Sequence, residues 1–315
     1  MTTPAPTALG PSTDDEFARL RLTSRLAVAF LLDVIAITRG DKHVLDTLLM
    51  SAVIHANVRE INRRADLQSA FARSDELPPD DLRAPISMNA LARSLEIPFE
   101  TVRRRVTALA RERFCVFVEG GVIVPSAVLA DPSYFADAFR VFQRLQAFYY
   151  ELGDLELLGE LPPGAELSAE TFPVRAVARI LGAYVMRAVE ALGAMGDLLD
   201  GILLLEIFRG NVEGLSPHRP GPGEVLTDEL RVPLSILTLA RRIGAPYETV
   251  RRHAAALLER GVVARVRGGL IVPARALEDP RLPAILADNA ANLRRLFATL
   301  AQLGVLRLWD GARPA

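Results

Sequence analysis

Residues 98–105 read PFETVRRR and residues 246–253 read PYETVRRH, so nearly the same octapeptide occurs twice in the chain. Both copies begin with proline, which is favoured at the first position of a helix because its missing N–H would have no partner there. At 3.6 residues per turn, Val102, Val106 and Leu109 share one face, and the charged residues point away from it. The octapeptides therefore predict two helices that bury an apolar face and expose a basic one.

The second copy repeats the pattern of the first, with Val250, Ala254 and Leu257 in the inward positions. The outward positions are occupied by Glu100, Arg104 and Arg111 in the first copy and by Glu248 and Arg252 in the second. Two similar basic helices in one polypeptide suggest that a single chain imitates a dimer.

The octapeptides belong to a longer internal repeat with an offset of 148 residues. Of the 39 positions in residues 87–125, 18 are identical to their counterparts in residues 235–273. Upstream the likeness is fainter, with Asn57-Val58 matching Asn211-Val212 at an offset of 154. The sequence therefore predicts two related halves, each about half of the chain.

Each half is expected to contain helices, then a compact unit around the octapeptide helix, which we call the head, and finally a long closing helix. In each head a short helix precedes the octapeptide helix, and a Gly-Gly dipeptide joins two short strands into a hairpin. We predict a disordered tail over residues 1–15, a first half over 16–158, a linker over 159–170, a second half over 171–304 and a tail over 305–315. Within the halves we predict helices over 16–64 and 173–210, the first head over 86–125, the second head over 234–273, and closing helices over 134–158 and 282–303. The expected fold class is mainly α with short β-hairpin wings, in tandem pseudo-symmetric halves.

The run from Leu91 through Thr101-Val102-Arg103-Arg104 to the Gly-Gly hairpin resembles the winged helix-turn-helix of bacterial transcription regulators, in particular the GntR-like and Crp-like groups. The resemblance covers about 40 residues of each half, roughly a quarter of the chain overall. It implies that the octapeptide helices are recognition helices that bind double-stranded DNA. It also implies that Thr101, Arg104, Thr249 and Arg252 approach base edges, while Arg103 and Arg251 lie nearer the backbone.

The chemistry of the outward side chains suits such a role. An arginine guanidinium can make a bidentate contact to guanine, and Glu100 or Glu248 can accept a hydrogen bond from cytosine N4. Compensation of the helix dipole is an equally good explanation of the two glutamates. The candidate DNA-binding residues are Glu100, Thr101, Arg103, Arg104, Arg105, Glu248, Thr249, Arg251, Arg252, His253, Arg265 and Arg267.

The two heads differ in charge, although the whole chain has a net charge of only −1. Residues 87–125 hold six arginines against four acids, a local charge of +2, and residues 235–273 hold seven against two, a local charge of +5. The first hairpin tip has Glu119, whereas the second has Arg265 and Arg267. Because phosphate repels an acidic tip, we expect the second hairpin to bind DNA more strongly.

Other classes of function receive little support from the sequence. The four histidines are scattered without metal-ligand spacing, and no phosphate-binding glycine loop occurs, so we expect no enzyme, metal site or cofactor. Cys115, the single cysteine, is expected to be a packed strand residue, and the absence of a disulfide favours the cytoplasm. The apolar runs 26–37 and 176–207 are too short or too often interrupted by charge to cross a membrane.

The sequence thus predicts a sequence-specific transcription regulator that acts as a single-chain pseudo-dimer on two half-sites. RNA polymerase and a second copy of the chain are further candidate partners. Tandem winged helices also resemble those of protein-interaction adaptors in chromosome organisation and those of replication initiators, and both remain alternatives. The outward arginine pair favours DNA, because an adaptor does not need it.

Overall fold

The computed structural model describes residues 13–73, 77–193, 196–215 and 226–313. Up to residue 154, the described chain forms eight α-helices and one β-hairpin. They are α1 (Thr13–Arg39), α2 (Val44–Asn57), α3 (Arg59–Arg63), α4 (Ala65–Ala70), α5 (Met88–Ser94), α6 (Phe99–Arg111), β1 (Val116–Val118), β2 (Gly121–Ile123), α7 (Ser126–Leu129) and α8 (Pro132–Asp154).

From residue 174 onward, the described chain forms six α-helices and a second hairpin. They are α9 (Val174–Gly193), α10 (Leu198–Val212), α11 (Ile236–Ile243), α12 (Tyr247–Glu259), β3 (Ala264–Val266), β4 (Gly269–Ile271), α13 (Leu282–Gln302) and α14 (Val305–Ala312). Four short 3₁₀ segments complete the described elements, at Asp80–Leu82, Ala169–Thr171, Asp228–Leu230 and Ala274–Glu278. The prediction of a mainly helical chain with two small antiparallel hairpins is confirmed.

The two ends of the chain depart from the predicted boundaries. Most of the expected tail, residues 1–12, lies outside the described residues, and residues 13–15 already belong to α1. The prediction of a tail over residues 305–315 was wrong, because α14 occupies most of it and Trp309 is buried. The indole of Trp309 packs edge to face on Phe142, with ring centroids 5.5 Å apart. Apolar burial therefore holds this helix in place. None of the described helices combines the length and the apolar character needed to cross a membrane.

In both heads the short helix begins at a serine cap and ends in a left-handed turn. Ser87 Oγ accepts a hydrogen bond from Ala90 N at 3.2 Å, and Ser235 Oγ accepts one from Thr238 N at 3.1 Å, which satisfies a free N–H at each helix start. The turn residues Glu96 and Gly244 have φ of 51° and 63°. Glycine adopts this conformation without strain, whereas a residue with a Cβ does not.

The two hairpins lie where the sequence predicts them, but their two-residue loops are Glu119-Gly120 and Arg267-Gly268, because Gly121 and Gly269 already pair within the strands. Val116 pairs with Ile123 in the first hairpin, and Ala264 pairs with Ile271 in the second. A further β-bridge joins each hairpin to the segment before the short helix. At Gly121 and Gly269 a Cβ would lie 2.2 Å from a backbone oxygen of this segment, so the close approach requires glycine at both positions.

A buried asparagine ties each hairpin to the preceding helix. Asn57, at the end of α2, donates from Nδ2 to Ala84 O at 2.9 Å and to Val122 O at 3.3 Å, and its Oδ1 accepts from Val124 N at 2.9 Å. Asn211, at the end of α10, makes the corresponding contacts to Val232 O, Leu270 O and Val272 N. Each amide therefore satisfies three backbone groups that are enclosed in the core.

The centre of the molecule is an aromatic cluster in which the four longest helices meet. Phe30 of α1 stacks on Phe148 of α8 with ring centroids 4.3 Å apart, and Tyr184 of α9 and Phe297 of α13 flank this pair. Only some of the aromatic residues of α8 belong to this core, because Phe135 and Phe139 are exposed. The two halves thus share one apolar centre.

The halves also cross over, so that the first helix of each reaches the head of the other. Helix α1 packs against α10, and α9 packs against α2. The guanidinium of Arg39, at the end of α1, lies so close to the turn of the second head that a Cβ at Gly244 would come within 2.2 Å of it. Gly193, at the end of α9, lies against Glu96 in the turn of the first head, with 3.2 Å between a built Cβ and that side chain. We call these two contacts, each between the end of a long helix and the turn of the other half's head, the junctions. Each junction therefore places a large residue against a glycine.

We predict that Asn57→Ala lowers the free energy of unfolding by roughly 2–4 kcal/mol, because it leaves Val124 N and Ala84 O without partners and removes one of the two hydrogen bonds to Val122 O. The measurement is chemical denaturation followed by circular dichroism. Asn62→Ala, at an exposed position five residues later, serves as the control and should change stability by less than about 0.5 kcal/mol. Equal effects of the two substitutions would contradict the role assigned to Asn57.

Candidate nucleic-acid interface

Helices α6 and α12 present basic faces to solvent, as the octapeptides predict. Arg104 and Arg252 are exposed, and neither forms a hydrogen bond or ion pair with any residue that the structure describes. The opposite faces are anchored in the core by Val102, Val106 and Leu109 in α6 and by Val250, Ala254 and Leu257 in α12. Thr101 and Thr249 are half-buried beside the exposed arginines. Each helix therefore offers an uncommitted guanidinium at the same position to a partner in solvent.

The neighbouring arginines are engaged by the glutamates at the helix starts. Arg103 donates from Nε to Glu100 Oε2 at 2.9 Å and from Nη2 to Glu100 Oε1 at 2.6 Å, and Arg251 binds Glu248 with the same two distances. The hydrogen bond from Arg103 lowers the pKa of the Glu100 carboxyl, and the charges of Arg103 and Arg104 lower it further. Both pairs are exposed, so a phosphate or base can compete for either member at little cost.

Arg105 and His253 were expected on the DNA-binding face, and the structure corrects this expectation. Arg105 Nη1 lies 2.9 Å from Asp46 Oδ1, and its Nη2 lies 3.1 Å from His43 Nε2. His253 Nδ1 lies 2.7 Å from Asp200 Oδ1 in the second half. Both side chains are mostly buried and connect the octapeptide helix to α2 or α10.

The two hairpins differ in what they expose. Arg265 and Arg267 are exposed on the second hairpin. The first exposes a carboxylate at Glu119 and an apolar strand in which Phe117 is 50% exposed. A polyanion therefore meets two cations at one hairpin and an apolar, acidic surface at the other.

Sequence reasoning missed an exposed aromatic residue at the start of each octapeptide helix. Phe99 is 45% exposed and Tyr247 is 51% exposed. The signal was present, because both copies carry an aromatic ring directly before the glutamate. The first of these rings borders an open groove lined by Asn89, Ala92, Arg93, Glu96, Ile97 and Pro98.

The structure also groups three metal-ligating residues that no sequence spacing suggested. One ligand atom each of Asp197, Asp200 and His253 lies within 4.8 Å of the others. Asp200 Oδ2 is also 3.3 Å from Arg260 Nη1, and Asp197 Oδ1 caps α10 by accepting from Leu199 N. Three of the four carboxylate oxygens of the group thus already take part in an ion pair, a hydrogen bond to His253 and a helix cap.

Cys115 is buried, as the sequence predicts, although it lies directly before strand β1 and not in it. Burial raises the pKa of its thiol to about 11, which keeps the sulfur protonated and unreactive at neutral pH.

Comparison of the chain with protein-family models, with known proteins and with solved structures found no match.

We predict that stability falls as the pH is lowered from about 7 to about 5, partly through His43. Burial and the charge of Arg105 lower the pKa of His43 below 6.5, so the unfolded chain takes up a proton more readily than the folded one. The stabilisation that comes from the neutral His43 side chain is therefore complete above the pKa that His43 has in the unfolded chain. It is lost as the pH falls through that value towards the lower pKa of the folded chain. Unfolding free energies measured by urea denaturation across this range report the slope.

His43→Asn tests this assignment, because asparagine still caps a helix but does not titrate. The variant should show a shallower pH dependence than the original protein. His55, whose pKa is also lowered by burial, stays in place and accounts for part of the remaining slope. An unchanged slope in His43→Asn would rule out the contribution of His43.

Proposed function

We propose that the two heads are tandem, pseudo-symmetric winged helix-turn-helix units, in line with the resemblance of their sequences to bacterial transcription regulators. The proposal is supported by contacts that recur at corresponding positions. Asp80 Oδ1 accepts a hydrogen bond from Ser126 N. Asp228 Oδ1 accepts one from Ala274 N, and each of these two residues lies 148 positions after its counterpart. Three other features recur at corresponding positions of the two heads. They are the hydrogen bonds of the buried asparagines, the serine caps of the short helices, and the close approach of the backbone to the second glycine of each Gly-Gly pair.

The proposed function is sequence-specific binding of double-stranded DNA by a transcription regulator that acts as a single-chain pseudo-dimer. The observation that carries it is the pair Arg104 and Arg252, which are exposed and uncommitted at equivalent positions of the two helices. An arginine so placed can contact guanine O6 and N7 in the major groove. The two helices would enter major grooves about 10 bp apart or a multiple of that.

Within this proposal the two heads have different tasks. The second head combines Arg252 with the hairpin arginines Arg265 and Arg267, so it supplies most of the phosphate contacts and most of the affinity. The first head reads bases with Arg104 but offers no cation at its hairpin tip. An operator with two unequal half-sites follows from this difference.

A protein-interaction adaptor is the second candidate, and the first hairpin favours it. Its strand β1 exposes Val116, Phe117 and Val118 side by side, a surface that suits a protein partner such as RNA polymerase better than a phosphate backbone. A replication initiator would share the architecture, and the location of bound sites at promoters or at an origin separates the two. The exposed arginine pair keeps DNA binding as the preferred function.

We predict that Arg252→Ala costs about 1–3 kcal/mol on a specific site and changes binding to random DNA little. The site is first selected from a random duplex library with the purified protein, and affinities are then measured by fluorescence anisotropy. Arg63→Ala, which removes an exposed arginine of α3 outside both heads, is the matched control. Equal losses on specific and random duplexes would show that Arg252 touches only phosphate.

We predict that the double substitution Arg265→Gln and Arg267→Gln reduces the salt dependence of DNA binding, with the slope of log K against log salt falling by about 2. Each arginine that neutralises a phosphate releases condensed counterions, and glutamine does not. The control replaces Arg59 and Arg63, two exposed arginines of α3, with glutamine. Affinity that is insensitive to salt in the original protein would exclude the proposed function altogether.

A further inference from the structure

The first hairpin leaves one strand edge open to solvent. Strand β2 pairs with β1 on one side and forms the bridge to Ile86 on its other side, so β1 is the outer strand. All three residues of β1 are apolar and exposed, Val116 by 38%, Phe117 by 50% and Val118 by 40%. An open apolar edge of this kind is a template on which another strand can pair.

The backbone of Phe117 supplies the hydrogen-bonding groups of this edge. Phe117 lies opposite Val122, and both the N–H and the C=O of Val122 bond to Ile86, so they point away from β1. In an antiparallel pair, two opposite residues direct these groups either towards each other or away from each other. The N–H and C=O of Phe117 therefore point away from β2, and no other residue in the described part of the chain bonds to them.

The second hairpin shows how such an edge is protected. Arg265 occupies the position that corresponds to Phe117, and Arg267 occupies that of Glu119. Charged side chains on an edge strand oppose pairing with other chains. Two copies of the second hairpin would place Arg265 against Arg265, which destabilises a strand pair. The first hairpin has the same pairing pattern without this protection.

We propose that β1 pairs with β1 of a second copy of the chain, antiparallel and across a two-fold axis that passes through Phe117. The two Phe117 residues then exchange two backbone hydrogen bonds, and their rings lie opposite each other on one face of the sheet. On the other face, Val116 of each copy lies opposite Val118 of the other. The strand is complementary to itself in this register, as a two-fold interface requires.

The burial of Cys115 selects this register. If the axis passed through Val116 instead, Phe117 would have to bond to the backbone of Cys115, which is only 1% exposed. The register centred on Phe117 uses the three exposed residues of β1 and no buried group.

The charges that flank β1 favour a second copy in the antiparallel direction. Arg113 precedes the strand, Glu119 follows it, and both are exposed. Antiparallel pairing brings the Glu119 end of each copy beside the Arg113 end of the other, so opposite charges meet twice. Parallel pairing would bring Glu119 beside Glu119. The resulting dimer would carry four octapeptide helices, and this inference does not depend on what those helices bind.

The test is the association state of the full chain, measured by sedimentation velocity as the concentration is raised. The paired edge is small, so we expect a reversible dimer with a dissociation constant between about 1 µM and about 1 mM. Phe117→Arg, which copies the residue of the second hairpin, should raise this constant at least about tenfold. Phe139→Arg, at an exposed phenylalanine of α8, is the matched control and should leave it unchanged.

Disulfide formation checks the register. Opposite residues that share no hydrogen bond have Cα atoms about 4.5 Å apart, which a disulfide can span. An equal mixture of Val116→Cys and Val118→Cys should therefore form cross-linked dimers on mild oxidation, and either variant alone should not. The original protein, whose single cysteine is buried, gives the background.

A chain that stays monomeric up to about 1 mM would overturn the proposal. A dimer that Phe117→Arg leaves intact would overturn it as well, and so would cross-linking of the single variants as fast as of their mixture. A monomer that binds RNA polymerase through Phe117 would assign the edge to a different protein and would also contradict pairing between copies.

Discussion

The position of each head depends on one buried asparagine amide. Apolar packing has little directional preference, so the contacts of the octapeptide helices with the core do not by themselves fix where the hairpins lie. Asn57 and Asn211 supply direction, because each amide must meet two carbonyl groups and one N–H on two separate backbone segments. A hydrogen-bonded amide in the core thus fixes each hairpin to the helix that precedes its head.

The shared centre constrains the heads in a second way. Each head is fixed to α2 or α10, and these helices pack against the first long helix of the opposite half. A rotation of one head would therefore disturb both halves, including the stacked rings of Phe30 and Phe148. Such coupling restrains the position of one head relative to the other.

The parts of the fold that were predictable from the sequence are those governed by local rules. Helical periodicity located α6 and α12, proline and serine marked helix starts, and the Gly-Gly dipeptides marked both hairpins. The internal repeat made these local signals stronger, because two copies rarely agree by accident.

Long-range contacts were not predictable in the same way. His253 occupies the sequence position of Arg105 and looked equally available to DNA, yet Asp200, 53 residues away, holds it. The burial of Trp309 depends on its contact with Phe142, which lies 167 residues earlier in the chain. No local pattern encodes such partners, so one candidate residue in each head was assigned to the wrong face.

The two crossed junctions restrict which helix ends and turns can pack against each other. Arg39 faces Gly244 and Gly193 faces Glu96, so large and small residues alternate between the two contacts. If two first halves were joined, Arg39 would meet Glu96 instead of a glycine and a side chain would have to move, and two second halves would leave a gap between glycines. The two contacts are therefore complementary, so a larger residue at either glycine needs a compensating change in the side chain that faces it.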